Sequence, residues 1–261
     1  MTEGKLHGKV ALITGSDSGI GQGTAIEFAR EGADVAVHYL SDSDGAEQTR
    51  QAVEAEGCRA TVLQADVTDE RQVERLFDEA TDALGAVDIL MNNAGVDASG
   101  TEVGELSTEV FDKAIKANLY GPFFCCRRYV QLRKAAARTG GKIINVTSVH
   151  EEIPNPGGAD YDCSKGALRN LTRTLALELA PLKINVNNLG PGMVLTPFNQ
   201  PAIDDSELLE EQVQSIPWKR AAEPSEIGRL AVFLASADSD YVTGTTYFMD
   251  GGLMRNLGQG A

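Results

Sequence analysis

Tyr161 and Lys165 stand four residues apart in a stretch of helical pattern, so on a helix they share one face and their polar ends can act together. A free tyrosine phenol titrates near pH 10 and is a poor base at neutrality, with a pKa of about 10. An ammonium beside it favours the phenolate, which predicts that Lys165 lowers the Tyr161 pKa. Ser148 follows an apolar run over 142–147, where its hydroxyl can orient a substrate oxygen against the phenol. The trio would move protons to and from alcohols and carbonyls. A Tyr-x-x-x-Lys pair alone also occurs on ordinary solvated helices. The surrounding chain has to decide.

A second constellation lies near the start. An apolar strand over 9–14 runs into Thr14-Gly15-Ser16-Asp17-Ser18-Gly19-Ile20-Gly21, and a helix follows over 20–31. Strand, glycine-rich turn and helix N-terminus together accept a pyrophosphate: the glycines admit the phosphate, and free N–H groups and the helix dipole favour the anion. The spacing is G-x-x-x-G-x-G rather than G-x-G-x-x-G, so the dinucleotide fingerprint is met in mechanism rather than in letter. A turn that is merely tight would look similar.

The elements that must position these groups alternate regularly. Strands are expected over 34–39, 60–65, 87–91, 142–147, 183–189 and 245–249, and helices over 46–56, 70–84, 160–180 and 224–235. A long helical pattern over 108–138 is interrupted at Gly121-Pro122, where a break or kink is expected. Asn118 falls inside it, either as an ordinary exposed side chain or as an amide that perturbs the backbone and holds a water or the lysine. Short β-α connections imply a parallel sheet covered on both faces. An acidic helical excursion over 204–215 within the segment 194–220 is placed to become a lid, and a tail runs from 250 to 261. The expected fold is α/β: one doubly wound, Rossmann-type domain over 1–261 with a seven-stranded parallel sheet.

Composition narrows the partners. The chain has 261 residues, of which 38 are acidic and 23 basic, a net charge of −15. That field repels polyanions, so nucleic acid and anionic membrane are not expected partners. No apolar run is long enough to span a bilayer. The N-terminus lacks the apolar core of a secretory signal, and Cys58, Cys125, Cys126 and Cys163 have neither zinc spacing nor disulfide density. A cytoplasmic location is the expectation, with no metal site.

Taken together, these motifs make the chain resemble the short-chain dehydrogenase/reductase family over nearly its whole length. Thr14-Gly15-x-x-x-Gly19-Ile20-Gly21 resembles the family's cofactor turn, Asp66-Val67 its adenine-pocket pair and Asn92-Asn93-Ala94-Gly95 its strand-end motif. Asn118, Ser148, Tyr161 and Lys165 match its catalytic tetrad, and Pro191-Gly192 with Val194 and Thr196 its nicotinamide clamp. The resemblance implies Tyr161 as general acid/base, Ser148 as the group fixing the substrate oxygen, and Asn118 supporting a water relay. It implies that Lys165 lowers the tyrosine pKa and binds the nicotinamide ribose. Other expected cofactor contacts are Asp17, Ser18, Tyr39, Leu40, Ser41, Asn93, Ala94 and Gly95.

A narrower likeness, in Ser148-Val149-His150-Glu151-Glu152-Ile153-Pro154, Asn188-Leu189-Gly190-Pro191-Gly192 and Asp240-Tyr241-Val242-Thr243-Gly244, is to bacterial glucose 1-dehydrogenases. It implies a sugar or polyol substrate met by Asp97, His150 and Glu151, although Asp97 stands where those enzymes carry a different acid. The alternatives are a carbonyl or 3-oxoacyl reductase and a nicotinamide-binding protein without turnover. Cofactor choice turns on the end of the second strand. Tyr39 offers neither a carboxylate for a ribose diol nor a cation for a phosphate, Leu40 stands where dual-cofactor enzymes often carry arginine, and Ser41 can donate one hydrogen bond. Asp17, Asp42 and Asp44 with no nearby cation favour NAD over NADP, with some dual use. The resemblance also implies a homotetramer, paired through helices over 108–138 and 160–180 and through the last strand. Ala135-Ala136-Ala137 and the face of Leu168, Leu171, Leu175 and Leu179 are compatible with such pairing and equally with a core.

Overall fold

The computed structural model describes residues 3–256. Seven strands lie in the order β3-β2-β1-β4-β5-β6-β7. All neighbouring pairs are parallel. In chain order the elements are β1 (Val10–Ile13), α1 (Gly19–Arg30), β2 (Asp34–Tyr39), α2 (Ser43–Ala55), β3 (Ala60–Gln64), α3 (Glu70–Leu84) and β4 (Ile89–Asn92). There follow α4 (Thr108–Ile115), α5 (Gly121–Ala135), β5 (Gly141–Val146), α6 (Ala159–Leu179), β6 (Ile184–Pro191), α7 (Gln200–Asp204), α8 (Ser206–Val213), α9 (Pro224–Ala235) and β7 (Thr246–Met249). Of the expected tail, residues 257–261 lie outside the described residues.

Alternation along each strand builds two apolar layers. Ala11 and Ile13 of β1 join Ala25 and Phe28 of α1 and Ile227 and Ala231 of α9 on one face. Val10 and Leu12 join Leu76 and Phe77 of α3, Tyr129 of α5 and Leu179 of α6 on the other. Both sides of a central strand are therefore dry, which is why these strands read as unbroken apolar runs. Burying a side chain such as Phe28 or Leu12 contributes about 1.5–3 kcal/mol each. The chain moves outward from β1 to β2 and β3, then returns to pair β4 on β1's other side. That reversal opens a crevice at the carboxyl ends of β1 and β4.

The break expected at Gly121-Pro122 takes a definite form. Residues Lys116–Tyr120 make a π turn between α4 and α5, in which the Gly121 N–H reaches back to the Lys116 carbonyl. Pro122 has no N–H to donate, and the widened turn falls just before it, at the start of α5. The helix ends at Ala135, short of the expected 138, because Ala137 adopts a positive φ of 51°. On α6, Leu168 and Leu179 are buried and Leu175 packs against the second apolar layer, so these three belong to this chain's own interior, while Leu171 is half-buried.

Across the carboxyl ends of the strands runs a buried polar chain. Asn92 Nδ2 donates to Asn145 Oδ1 (2.8 Å), Asn145 Nδ2 to Thr172 Oγ1 (2.7 Å), and the Thr172 hydroxyl to Asn188 Oδ1 (2.5 Å). Asn188 Nδ2 then donates to Thr246 Oγ1 (3.1 Å), whose hydroxyl donates to Glu151 Oε1 (2.7 Å). Every donor points the same way, toward the carboxylate, and each bond polarises the next. Asn145 is fully buried and holds two of these bonds. Its replacement by alanine would remove the oxygen acceptor of the Asn92 amide and the donor to Thr172 Oγ1, at a cost of roughly 2–4 kcal/mol. Urea denaturation checks this; a loss below about 1 kcal/mol would mean the chain is not a stabilising network.

Candidate active site

Two cavities of about 260 Å3 each open at the carboxyl ends of the strands and share Ile20, Asn93, Gly95, Val96, Thr196 and Phe198 as a common wall. They form one continuous cleft.

The first cavity is built on the glycine turn. Gly15 and Gly19 both hold positive φ, 61° and 52°, which lets the chain turn back and enter α1. Ser18 at the N-cap makes no side-chain bond, and no acid sits in the first turn of α1. The leading N–H groups are therefore free for an anion. Asp17, Ser18 and Ile20 line this cavity with the two glycines, and Leu40, Ser41, Asp66, Val67, Ala94 and Gly95 complete it. Gly21 does not line the cleft. A Cβ there would stand 2.1 Å from the Gly15 carbonyl oxygen and 2.6 Å from Asn93 Nδ2, so this glycine is required by packing.

The turn is pinned from two sides. Thr14 Oγ1 accepts from the N–H groups of Asn93 and Ala94 (both 3.0 Å), and Asn93 Nδ2 donates to the carbonyls of Thr14 (3.0 Å) and Gly15 (2.7 Å). From β2, His38 Nδ1 accepts from the Gly15 N–H (2.9 Å), which leaves Nε2 to donate to the Ala65 carbonyl (3.0 Å). The ring is a neutral tautomer bridging β1, β2 and β3, and burial pulls its pKa down to about 4. This clamp escaped the sequence reading; the signal was an imidazole inside an otherwise apolar strand, Asp34-Val35-Ala36-Val37-His38-Tyr39. Tyr39, expected to select the cofactor, points elsewhere and packs against the apolar layer of α1 and α9. Residues alternate along β2, so His38 and Leu40 share the cleft side and Tyr39 takes the other.

The second cavity holds the expected chemistry. Ser148, Tyr161, Lys165, Pro191, Gly192, Val194 and Thr196 line it, together with Asp97 and His150. Burial pushes the Tyr161 phenol up to about 12; the Ser148 hydroxyl pulls it down, while Asp97 and Asp162 add to the rise. Burial draws the Lys165 amine down to about 8, opposed by the Asp97 and Glu151 carboxylates. The amine donates to the Val146 carbonyl (2.9 Å) and stands 5.4 Å from the Tyr161 ring centre. In this geometry desolvation is the largest influence on the phenol, which lies above its ordinary value and not below it.

Two expected contacts are corrected. After Ser148 the chain makes a 3₁₀ turn, Val149–Glu151, capped by Ser148 Oγ accepting from the His150 N–H (3.2 Å). Successive side chains on such a turn lie about 120° apart. His150 therefore faces the cavity, with Nδ1 donating to the Ile153 carbonyl (2.9 Å), while Glu151 turns into the core as terminus of the polar chain. Burial raises the Glu151 pKa, against hydrogen bonds from Thr147 and Thr246. Asn118 is buried too: its Oδ1 accepts from the Val96 N–H (2.8 Å), and Nδ2 donates to the Val96 carbonyl and Ser164 Oγ (both 3.0 Å). Its amide ties the loop after β4 to α6 and does not touch Lys165. Of the segment 194–220, Val194, Thr196, Phe198 and Asn199 wall the cavity, and α7 and α8 stand outside that wall.

Residues 15–254 match the family model described as Enoyl-(Acyl carrier protein) reductase. The chain is a short-chain dehydrogenase/reductase. It is 41% identical to 3beta-hydroxysteroid dehydrogenase 1 of Eggerthella lenta, over 95% of this chain and 94% of that one. It is 35% identical to Glucose 1-dehydrogenase 2 of Bacillus subtilis, over 95% of each. Among solved structures, a gluconate 5-dehydrogenase from Burkholderia cenocepacia in complex with NADP and tartrate superposes with a TM-score of 0.88 at 34% identity, covering 96% of this chain and 97% of that one. This reductase/dehydrogenase is accordingly an oxidoreductase that acts on CH–OH substrates with NAD(P). Among the described residues no helix is long and apolar enough to cross a membrane.

The neutral His38 ring carries a pH signature. Above pH 6.5 it is uncharged whether the chain is folded or not, and contributes no pH dependence. As pH falls from 6.5 to about 4 the unfolded chain takes a proton that the folded one refuses. Stability should drop across that window by up to roughly 3 kcal/mol. Denaturation of the wild type and His38→Asn at several pH values checks this: the variant's profile should be flatter between pH 6.5 and 4, and parallel profiles would refute the assignment.

Proposed function

We propose that this enzyme oxidises a hydroxyl of a neutral sugar or polyol, with NAD preferred over NADP. The observation that carries the reading is that Asp97 and His150 both line the cavity, in addition to the Ser148, Tyr161 and Lys165 trio. A carboxylate and an imidazole can bind several hydroxyls, while Asp97 repels a carboxylate substrate by about 1 kcal/mol even through water. Val149, Met193, Phe198 and Leu253 on the same wall favour, as a second reading, an apolar alcohol such as a hydroxysteroid.

The roles follow from position. Tyr161 takes the hydroxyl proton on oxidation and returns it on reduction, and Ser148 holds the substrate oxygen against the phenol. A bound oxidised nicotinamide supplies the hydride acceptor and a positive charge. Lys165, buried and cationic below about pH 8, places a positive charge 5.4 Å from the Tyr161 ring centre and favours the phenolate. Asn118 acts through the Val96 loop and the backbone of its π turn. The segment 194–220, whose Val194, Thr196, Phe198 and Asn199 wall the cavity, serves as a lid. The carbonyl-reductase alternative uses the same groups in the reverse direction.

For the cofactor, Leu40 at 56% exposure and Ser41 stand where a 2′-phosphate would need a cation, and Asp17 and Asp66 share that cavity. NAD should show the higher kcat/KM, and Leu40→Arg should raise efficiency with NADP. Exposed Tyr120, Phe123 and Leu177 near α5 and on α6 support pairing of these helices in a homotetramer.

A cofactor-reduction panel of aldoses, polyols, gluconate and 3β-hydroxysteroids with both cofactors tests the assignment. Neutral polyhydroxyl compounds should turn over, with gluconate at least tenfold poorer in kcat/KM and improved by Asp97→Asn. Turnover of gluconate or steroid alone would overturn the substrate class.

Tyr161→Phe should fall below about a hundredth of the wild-type rate, the range expected for a lost acid/base group. Lys165→Met should lose turnover yet keep or raise Tm at pH 7. The folded amine pKa is lowered from 10.5 to about 8, so burying the charge costs up to roughly 3 kcal/mol below pH 8, relieved as pH climbs from 8 to 10.5. A Tm several degrees lower for the methionine variant would contradict this.

A further inference from the structure

At the opposite end of the sheet, under the amino ends of β1, β4, β5 and β6, lies a cavity of about 690 Å3, larger than either half of the cleft. Six cations line it: Lys5, Lys9, Arg133, Arg138, Lys142 and Lys183. We propose that this cavity is a binding site for a multivalent phosphoryl anion of about the size of a nucleoside diphosphate, separate from the cofactor cleft.

The floor is built rather than incidental. Arg133 and Lys142 are 5% and 8% exposed. Arg133 Nη1 donates to the Val87 carbonyl (2.9 Å) and lies 3.4 Å from Asp88 Oδ1, while its buried Nε has no partner. Lys142 Nζ is held by Asn185 Oδ1 (3.0 Å), Ser239 Oγ (3.2 Å) and Asp240 Oδ1 (2.8 Å). Gly141 roofs the arginine at φ 138°; a Cβ there would stand 3.3 Å from Arg133 Nε and 2.2 Å from the Tyr129 hydroxyl. Glycine is required at this close approach, where a larger residue would press on the Tyr129 hydroxyl and the guanidinium.

The charges do not cancel. Asp88 is shared by Arg133 and Arg138, Asp240 takes Lys142, and Asp238 takes Lys5 at 2.6 Å. Lys9 and Lys183 make no ion pair among the described residues and stand exposed at the rim. The carbonyl ends of α5, α6 and α9 point this way and offset about half a charge each, and Glu31 accepts from the Lys5 N–H. The balance stays positive by about one charge on a chain whose net charge is −15. Such a local reversal of sign attracts an anion that the rest of the surface repels. The volume lies within the range of about 300–1,000 Å3 usual for small-molecule sites.

Inorganic pyrophosphate is the probe, with the enzyme saturated in NAD so that the glycine turn is occupied, and ionic strength held constant with sodium chloride. The wild type should show a saturable rise in Tm, because a ligand bound only by the folded state stabilises it. The double variant Lys9→Gln/Lys183→Gln should bind at least tenfold more weakly while keeping the wild-type Tm without pyrophosphate and the wild-type turnover. An unsaturable Tm response, or equal affinity in wild type and variant, would overturn the proposal.

Discussion

A parallel sheet whose strands are dry on both faces still has to satisfy the polar groups where its strands end. Here the solution is a one-way run of donors from Asn92 through Asn145, Thr172, Asn188 and Thr246 to Glu151. It crosses β4, β5, β6 and β7 and recruits α6 through Thr172. The helix carrying Tyr161 and Lys165 is thereby fixed against the strand that delivers Ser148. Asn118 ties the same helix, through Ser164, to the loop after β4. The side chains that line the cleft are thus held by interior hydrogen bonds, which matches the general need to lock a site from behind.

The nucleotide half is held by different means. Thr14, Asn93 and His38 convert a flexible glycine turn into a shaped recess without spending the leading N–H groups of α1. A neutral imidazole suits that role because it both accepts from Gly15 and donates to Ala65. A charged ring would lose the acceptor and bring an unpaired positive charge into a dry interior.

Charge is distributed by end. Asp17, Asp66 and Asp97 line the cleft at the carboxyl ends, where the free N–H groups of α1 supply a positive edge. Basic side chains gather at the amino ends, beneath β5 and β6. An acidic cleft bears on which alcohols and which nicotinamide nucleotide approach, since each added anionic charge meets several fixed carboxylates.

By itself the sequence determined the α/β alternation, the glycine turn and the residues Ser148, Tyr161 and Lys165, because local periodicity and motif spacing carry that information along the chain. What only the tertiary structure decided are the directions of neighbouring side chains and the environments they enter. Glu151 reads as a solvated loop acid beside His150, but a 3₁₀ turn rotates one into the core and leaves the other in the cavity. Tyr39 and Leu40 exchange importance because a strand alternates its faces. The Tyr161 phenol sits above its ordinary value, not below it, because desolvation depends on what is packed around a phenol, a property no spacing records. The His38 clamp and the basic cavity join residues from β1, β2 and β3, and from both chain halves, respectively; contacts of that range exist only once the sheet has been assembled.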